Sequence, residues 1–111
     1  MDYEMLLAAL LMGLLVFFSL DFDNTFTEDP VFWKWFILKA TNKGHKVFCV
    51  TARTEEQKNI DEVEGSFGSS LELIEDVVFC NHIAKKDVVE RLGIDIDVWI
   101  DDDPATIIQG L

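Results

Sequence analysis

Four short apolar runs, each followed directly by polar residues, constrain the fold of this chain more than any other feature of its sequence. They lie at residues 14–20, 46–50, 77–80 and 96–100. Apart from Ser19, Lys46 and Asp97, the residues of these runs are apolar. Apolar runs of about four to eight residues are typical of strands that are buried on both faces of a sheet. Helical patterns separate the runs, and this alternation favours an open parallel sheet. We therefore predict a three-layer, Rossmann-like α/β fold with helices on both faces of the sheet.

Capping patterns mark where the helices between these strands begin and end. Asp29 followed by Pro30 is typical of a helix start, and Gly44 stands where a glycine ends that helix. The segment 54–57 matches a capping box led by Thr54, which predicts a second helix to about residue 64, followed by a flexible loop at 65–70. Two further helices are predicted at 84–92 and after Asp103-Pro104, with Asp103 as the N-cap.

The chain has 111 residues, which fits a single domain over residues 1–111 with a minimal core. Nine Lys and Arg residues against 21 Asp and Glu residues give a net charge of −12. This charge disfavours nucleic acids and anionic membrane surfaces as partners, because both attract basic proteins. The acidity is compatible with a solubilising surface or with a site that binds a cation.

An apolar stretch at residues 6–18 holds thirteen residues without a charge. It is shorter than the ~20 residues of a membrane-spanning helix. Asp2 and Glu4 precede it, where a signal peptide carries basic residues. We predict an apolar N-terminal extension over residues 1–13, with a short helix at 3–12. A buried core segment, a contact in a homo-oligomer and weak membrane association remain as alternative roles for it.

The two cysteines lie in apolar runs and do not form a recognisable metal or redox pair. Cys49 and Cys80 are 31 residues apart, a spacing that fits neither a CxxC motif nor a short pair of metal ligands. We expect two reduced, buried thiols in a cytoplasmic protein.

Each predicted strand leads into polar residues of a particular type. The carboxyl ends of parallel strands meet at one edge of the sheet, where ligands of such folds bind. Converging carboxylates repel one another unless a divalent cation lies among them, and oxygen ligands favour Mg²⁺. A carboxylate in such a site can attack phosphorus, and a second can act as acid and base. The residues are Asp21 and Asp23, then Thr51 and Arg53, then Lys85 and Lys86, then Asp101, Asp102 and Asp103.

In this order the residues resemble the haloacid dehalogenase-like (HAD) superfamily. Its four motifs match LDFDNT at 20–25, VFCVT at 47–51, a lysine in AKKDVVERLG, and VWIDDD at 98–103. The resemblance covers residues 14–108. It implies a HAD-like sheet and, because only 25 residues separate Thr25 from Thr51, a site without a cap domain.

The resemblance also implies roles for the matching residues. Asp21 is expected to be the nucleophile and a Mg²⁺ ligand, and Asp23 the general acid and base as well as a ligand through its carbonyl. Thr51 is expected to bind phosphate, and Asp102 with Asp101 to complete the metal site. Lys85 is the preferred motif lysine and Lys86 the alternative. Weaker substrate-binding candidates are Asn24, Thr25, Arg53 and Lys86.

These roles imply a Mg²⁺-dependent phosphomonoester hydrolase that works through an aspartyl-phosphate. Its substrate would be a small phosphorylated molecule. A helix rich in aromatic residues is either core with partial exposure or a platform for a nucleotide base. The alternatives are a phosphatase for macromolecules and a catalytically silent HAD-like binding or assembly protein. The aromatic residues are Phe32, Trp33, Trp35 and Phe36.

Overall fold

Strands and helices alternate along the chain in the predicted order. They are seen in a computed structural model that describes residues 15–110, so the predicted helix at 3–12 lies outside the described residues. The strands are β1 (Phe17–Leu20), β2 (Lys46–Thr51), β3 (Val77–Phe79) and β4 (Val98–Ile100). The helices are α1 (Pro30–Asn42), α2 (Gln57–Phe67), α3 (Lys85–Arg91) and α4 (Ala105–Ile108), with 3₁₀ segments at Phe26–Glu28 and Gly68–Leu73.

All four strands are parallel and lie in the order β3-β2-β1-β4. The predicted α/β class with a parallel sheet is therefore confirmed. The chain proceeds from β1 to β3 in one direction and then returns to place β4 on the other side of β1. The point of reversal lies between β1 and β4, and open α/β sheets bind ligands outside the strand ends at such a point.

Two hydrophobic clusters use alternate residues of β2. Val47 and Cys49 belong to a cluster that includes Ile37 of α1 and Val63 of α2. Phe48 and Val50 belong to a second cluster, with Val89 of α3. Successive side chains of a strand point to opposite faces of the sheet. The two clusters therefore lie on opposite faces.

The first helix begins and ends as its sequence predicts. Asp29 is the N-cap, and its carboxylate accepts a hydrogen bond of 3.1 Å from the backbone N–H of Phe32. Gly44 follows the helix with φ of 88°, a left-handed conformation that costs glycine little. Trp33 packs against the core whereas Trp35 is 53% exposed. Core packing with partial exposure is therefore confirmed for this aromatic helix.

The predicted loop at 65–70 is wrong. Helix α2 continues to Phe67, and a 3₁₀ segment carries the chain on to Leu73. Phe67 is fully buried, and its ring lies 4.2 Å from that of Phe26, measured between centroids. Packing of this aromatic pair outweighs the low helix propensity of the surrounding glycines and serines.

Two predicted N-caps are also wrong. Helix α2 begins at Gln57 rather than at Thr54, whose hydroxyl instead accepts a hydrogen bond of 3.0 Å from the Asn59 side-chain amide. The last helix begins at Ala105 without a side-chain cap, and the Asp103 carbonyl accepts from the N–H of Thr106.

Strands β1 and β4 are shorter than predicted and begin at Phe17 and Val98. Side chains from neighbouring segments accept hydrogen bonds from the backbone at the start of β1. The N–H of Val16 donates to Nδ1 of His45 at 3.0 Å, and that of Phe17 donates to the Asp97 carboxylate at 2.8 Å.

Both cysteines are free and buried, as predicted. Burial raises the pKa of the Cys80 thiol to about 11, so this thiol stays protonated at neutral pH. Between residues 15 and 110, none of the helices has the length and apolar character to cross a bilayer.

We expect replacement of Asp29 by alanine to lower the free energy of unfolding by ~1 kcal/mol, because the Phe32 N–H loses its acceptor. Urea denaturation followed by circular dichroism measures the change. Asp29→Asn is the matched control, since asparagine caps about as well as aspartate. Equal stability of Asp29→Ala and the parent protein would contradict the assignment of the cap.

Candidate functional site

A cavity of about 190 Å³ opens at the carboxyl ends of β1 and β4, at the point where the strand order reverses. The site therefore lies where the fold class predicts one. Eight of its nine lining residues have polar or charged side chains. The lining residues are Asp21, Asp23, Asn24, Ala52, Lys85, Asp101, Asp102, Asp103 and Thr106.

The floor of the cavity is a buried ammonium group held between two carboxylates. Nζ of Lys85 donates to Oδ1 of Asp21 at 2.9 Å and to Oδ2 of Asp101 at 2.5 Å. The three side chains are at most 8% exposed. Lys85 is the first residue of α3, so its side chain joins that helix to the ends of β1 and β4.

The side chain of Thr25 links the carboxylates of Asp21 and Asp102. Its hydroxyl lies 3.1 Å from Oδ2 of Asp21 and 3.1 Å from Oδ1 of Asp102, and it also accepts from the Asp102 backbone N–H at 3.2 Å. A hydroxyl carries one proton, so it donates to only one of the two carboxylates at a time. Thr25 is buried and holds these two acidic groups. Its expected contact with a substrate stays a prediction.

Asp21, Asp101 and Asp102 form a group of carboxylates that could hold a metal ion. One oxygen from each lies within 4.8 Å of the others. With the ammonium of Lys85, these three carboxylates have a formal charge of −2. A set of carboxylate oxygens with that charge fits a divalent cation such as Mg²⁺. The Asp23 carboxylate is outside this group.

Burial dominates the electrostatics of the cluster. Burial is the largest cause that raises the pKa of Asp21 to about 7; Lys85 acts against it through its hydrogen bond and charge, and Asp102 and Asp101 act with it. Burial alone would lower the pKa of Lys85, but its hydrogen bonds to Asp101 and Asp21 outweigh that effect and raise it. The lysine is therefore a permanent cation among carboxylates that need more positive charge than it supplies.

Asp23 is held by a second cation. Nε and Nη2 of Arg53 donate to its two carboxylate oxygens at 2.9 and 2.8 Å. The guanidinium also pairs with Glu62 on α2, at 2.7 Å from Nη1, and lies 5.1 Å from the centre of the Phe22 ring. These two carboxylates raise the pKa of Arg53 still further, so it is always charged.

Of the other residues expected at the site, some line the cavity and others do not. Asn24 lines the cavity with φ of 59°. Thr51 is buried and is not among the lining residues, and its hydroxyl oxygen accepts from the Arg53 backbone N–H at 3.3 Å. Lys86 is exposed and lies 4.0 Å from Glu90 on the same helix, away from the carboxylates. Of the two candidate lysines, the structure brings only Lys85 to the cluster.

Two residues near the site have no signal in the sequence. Glu62 contacts Arg53 from the second turn of α2, nine residues along the chain, and nothing in its spacing predicts that contact. Thr106 lines the cavity from α4 and donates to the Asp103 carbonyl at 2.8 Å. A capping pattern at Asp103 points to a helix there, but not to a threonine that faces the site.

We expect Lys85→Met to lower the free energy of unfolding by ~3–5 kcal/mol, because it leaves buried carboxylates without their cation. Lys86→Met is the matched control, since it removes the same charge one residue away at an exposed position. Chemical denaturation of both variants measures the difference. Similar stabilities for the two variants would show that the buried ion pairs do not hold the site together.

Comparisons of the chain with protein-family models, with curated proteins and with solved structures gave no match. The resemblance to the HAD superfamily therefore rests on the motifs, and what it implies for function is a proposal.

Proposed function

We propose that the protein is a Mg²⁺-dependent phosphomonoester hydrolase of the HAD type that works through an aspartyl-phosphate on Asp21. The observation that carries this proposal is the buried lysine among three carboxylates at the reversal point of a parallel sheet. Residues of three of the four motifs line the cavity, whereas Thr51 of the second motif is buried and is not among the lining residues. Such a cluster is costly for folding, and a chemical role gives it a reason.

In the proposed reaction, an oxygen of Asp21 attacks the phosphorus of the substrate, and the bond from phosphorus to the leaving oxygen breaks. Asp23 in its protonated form donates its proton to that oxygen and then takes one from the water that hydrolyses the aspartyl-phosphate, which restores the protonated form. Lys85 fixes the orientation of Asp21 through its hydrogen bond of 2.9 Å. A Mg²⁺ ion held by Asp21, Asp101 and Asp102 would supply positive charge for the phosphate oxygens.

The finer architecture proposed here is a three-layer HAD-like domain without a cap. The two clusters on opposite faces of the sheet, with α1 and α2 on one side and α3 on the other, support the layering. The connection from β1 to α1 holds only a short 3₁₀ segment at Phe26–Glu28, and that from β2 to α2 only residues 52–56. Neither connection has the length of a cap domain.

The size of the cavity supports a substrate whose phosphate enters while the rest stays outside. About 190 Å³ accommodates a phosphate and a cation, and is less than the ~300–1,000 Å³ typical of sites that enclose a whole small molecule. None of the lining residues is aromatic, and Trp35 and its neighbours on α1 are not among them. The proposal therefore extends to phosphomonoesters in general, including macromolecular ones, without a preference for nucleotides.

We expect the protein to hydrolyse p-nitrophenyl phosphate in the presence of Mg²⁺ and to lose this activity in excess EDTA. Asp21→Asn should lower the rate by at least about a thousandfold, because the amide cannot act as the nucleophile. Asp95→Asn, at an exposed position away from the cavity, is the control and should retain full activity. An inactive parent protein, or an active Asp21→Asn variant, would refute the proposed hydrolase activity.

A separate measurement tests the metal site without any reaction. Saturating Mg²⁺ should raise the thermal unfolding midpoint, since a ligand at a hundred times its Kd stabilises by ~2.7 kcal/mol. Asp102→Asn should abolish most of this gain, and Asp95→Asn should keep it. Stabilisation by Mg²⁺ without hydrolysis would favour the silent binding protein. Equal gains in Asp102→Asn and the parent would place the cation elsewhere.

A further inference from the structure

Every N–H group of the Arg53 side chain has a protein acceptor. A guanidinium has five such groups. Nε and Nη2 donate to Asp23, Nη1 donates to Asn59 at 3.3 Å and to Glu62 at 2.7 Å, and Nη2 also reaches Glu62 at 3.3 Å. In this arrangement the arginine has no free donor for a substrate.

The two edges of the guanidinium face different surroundings. The edge formed by Nε and Nη2 meets Asp23, which lines the cavity. The opposite edge meets Asn59 and Glu62 on α2, and neither of these is among the lining residues. The Phe22 ring packs against the guanidinium at 5.1 Å. Asp23 therefore closes the one edge of Arg53 that borders the cavity.

A phosphate presents two oxygens to a guanidinium edge in the same way as a carboxylate does. The side chain of Asp23 is 48% exposed, so water can hydrate its carboxylate when it leaves Arg53. Arg53 is only 21% exposed, and Asn59 and Glu62 hold its other edge. A phosphate that makes the same two contacts can therefore replace the carboxylate while the guanidinium stays in place.

We propose that Arg53 is a phosphate-binding residue whose cavity-facing edge is held by Asp23 until a phosphate replaces that carboxylate, with Glu62 as the anchor on the other edge. This inference rests on the proposed function, and it specifies the order in which phosphate binds and Asp23 is released. Both oxygens of Asp23 accept from Arg53 in the free protein, so neither faces a leaving group. Arrival of the phosphate frees Asp23 for its role as acid and base.

Titration of the full chain with inorganic phosphate in saturating Mg²⁺, followed by calorimetry, tests the exchange. Asp23→Asn should bind phosphate about fivefold more tightly, because an amide holds the guanidinium less strongly than a carboxylate. Arg53→Met should bind it about tenfold more weakly, through loss of a bidentate contact. In the Arg53→Met background, Asp23→Asn should bring no further gain.

The double variant separates this exchange from a general effect of charge. Removal of the negative charge of Asp23 favours the binding of any anion nearby. An equal gain in phosphate affinity from Asp23→Asn with and without Arg53 would therefore overturn the proposal. Absence of phosphate binding in all variants would overturn it as well. Thermal unfolding of each variant shows that it is folded under the conditions of the titration.

Glu62 provides an independent test of the anchor. Glu62→Ala should weaken phosphate binding about threefold although it removes a negative charge, since Arg53 loses its support on α2. Glu64→Ala, on the same helix, removes the same charge away from Arg53 and should not weaken binding. Tighter or unchanged binding in Glu62→Ala would refute the anchoring role.

Hydrolysis distinguishes failure of this inference from failure of the proposed function. If the protein shows the predicted phosphate affinities but does not hydrolyse p-nitrophenyl phosphate, the exchange at Arg53 is supported and the proposed hydrolase activity is refuted. If the protein hydrolyses the ester but Asp23→Asn raises the phosphate affinity equally with and without Arg53, the hydrolase activity is supported and the exchange is refuted.

Discussion

The buried ammonium of Lys85 is the interaction on which the arrangement of the site depends. It lies at the start of α3, is 1% exposed, and donates to carboxylates that follow two neighbouring strands. A buried charge of this kind is tolerated only with close partners, so its position fixes Asp21 and Asp101 relative to each other and to the helix. The same lysine supplies too little charge for the three carboxylates nearby, and this deficit points to a divalent cation.

Topology explains why these side chains meet. Strands β1 and β4 are neighbours in the sheet although they are distant in sequence, and the reversal of strand order between them leaves a crevice at their carboxyl ends. Asp21 is held there by buried contacts, whereas Asp23, two residues later, pairs with Arg53 at a half-exposed position. The proposed nucleophile is thus held in a buried position, and the proposed acid and base is held at a more exposed one, where the proposed exchange with phosphate would release it.

Much of the fold and of the candidate site was predictable from local sequence patterns. The polar residues at the strand ends and the cap at Asp29 follow from short segments of sequence. Helical periodicity also favours Lys85 over Lys86, since Lys85 lies four residues before the buried Val89 and shares its face. Contacts set by tertiary packing were not predictable. Burial of Phe67 extends a helix through an expected loop, and the pairing of Glu62 with Arg53 requires the folded position of α2.

Identification of the phosphorylated residue tests the central claim most directly. The Asp23→Asn variant, mixed with an aryl phosphate and Mg²⁺ and quenched in acid, should accumulate an acyl phosphate that hydroxylamine releases. Mass spectrometry of its peptides should place the phosphate on Asp21, because the variant retains the nucleophile and lacks the base for hydrolysis. Phosphate on another residue, or turnover of the ester by the parent protein with no phosphorylated intermediate in the variant, would contradict the account.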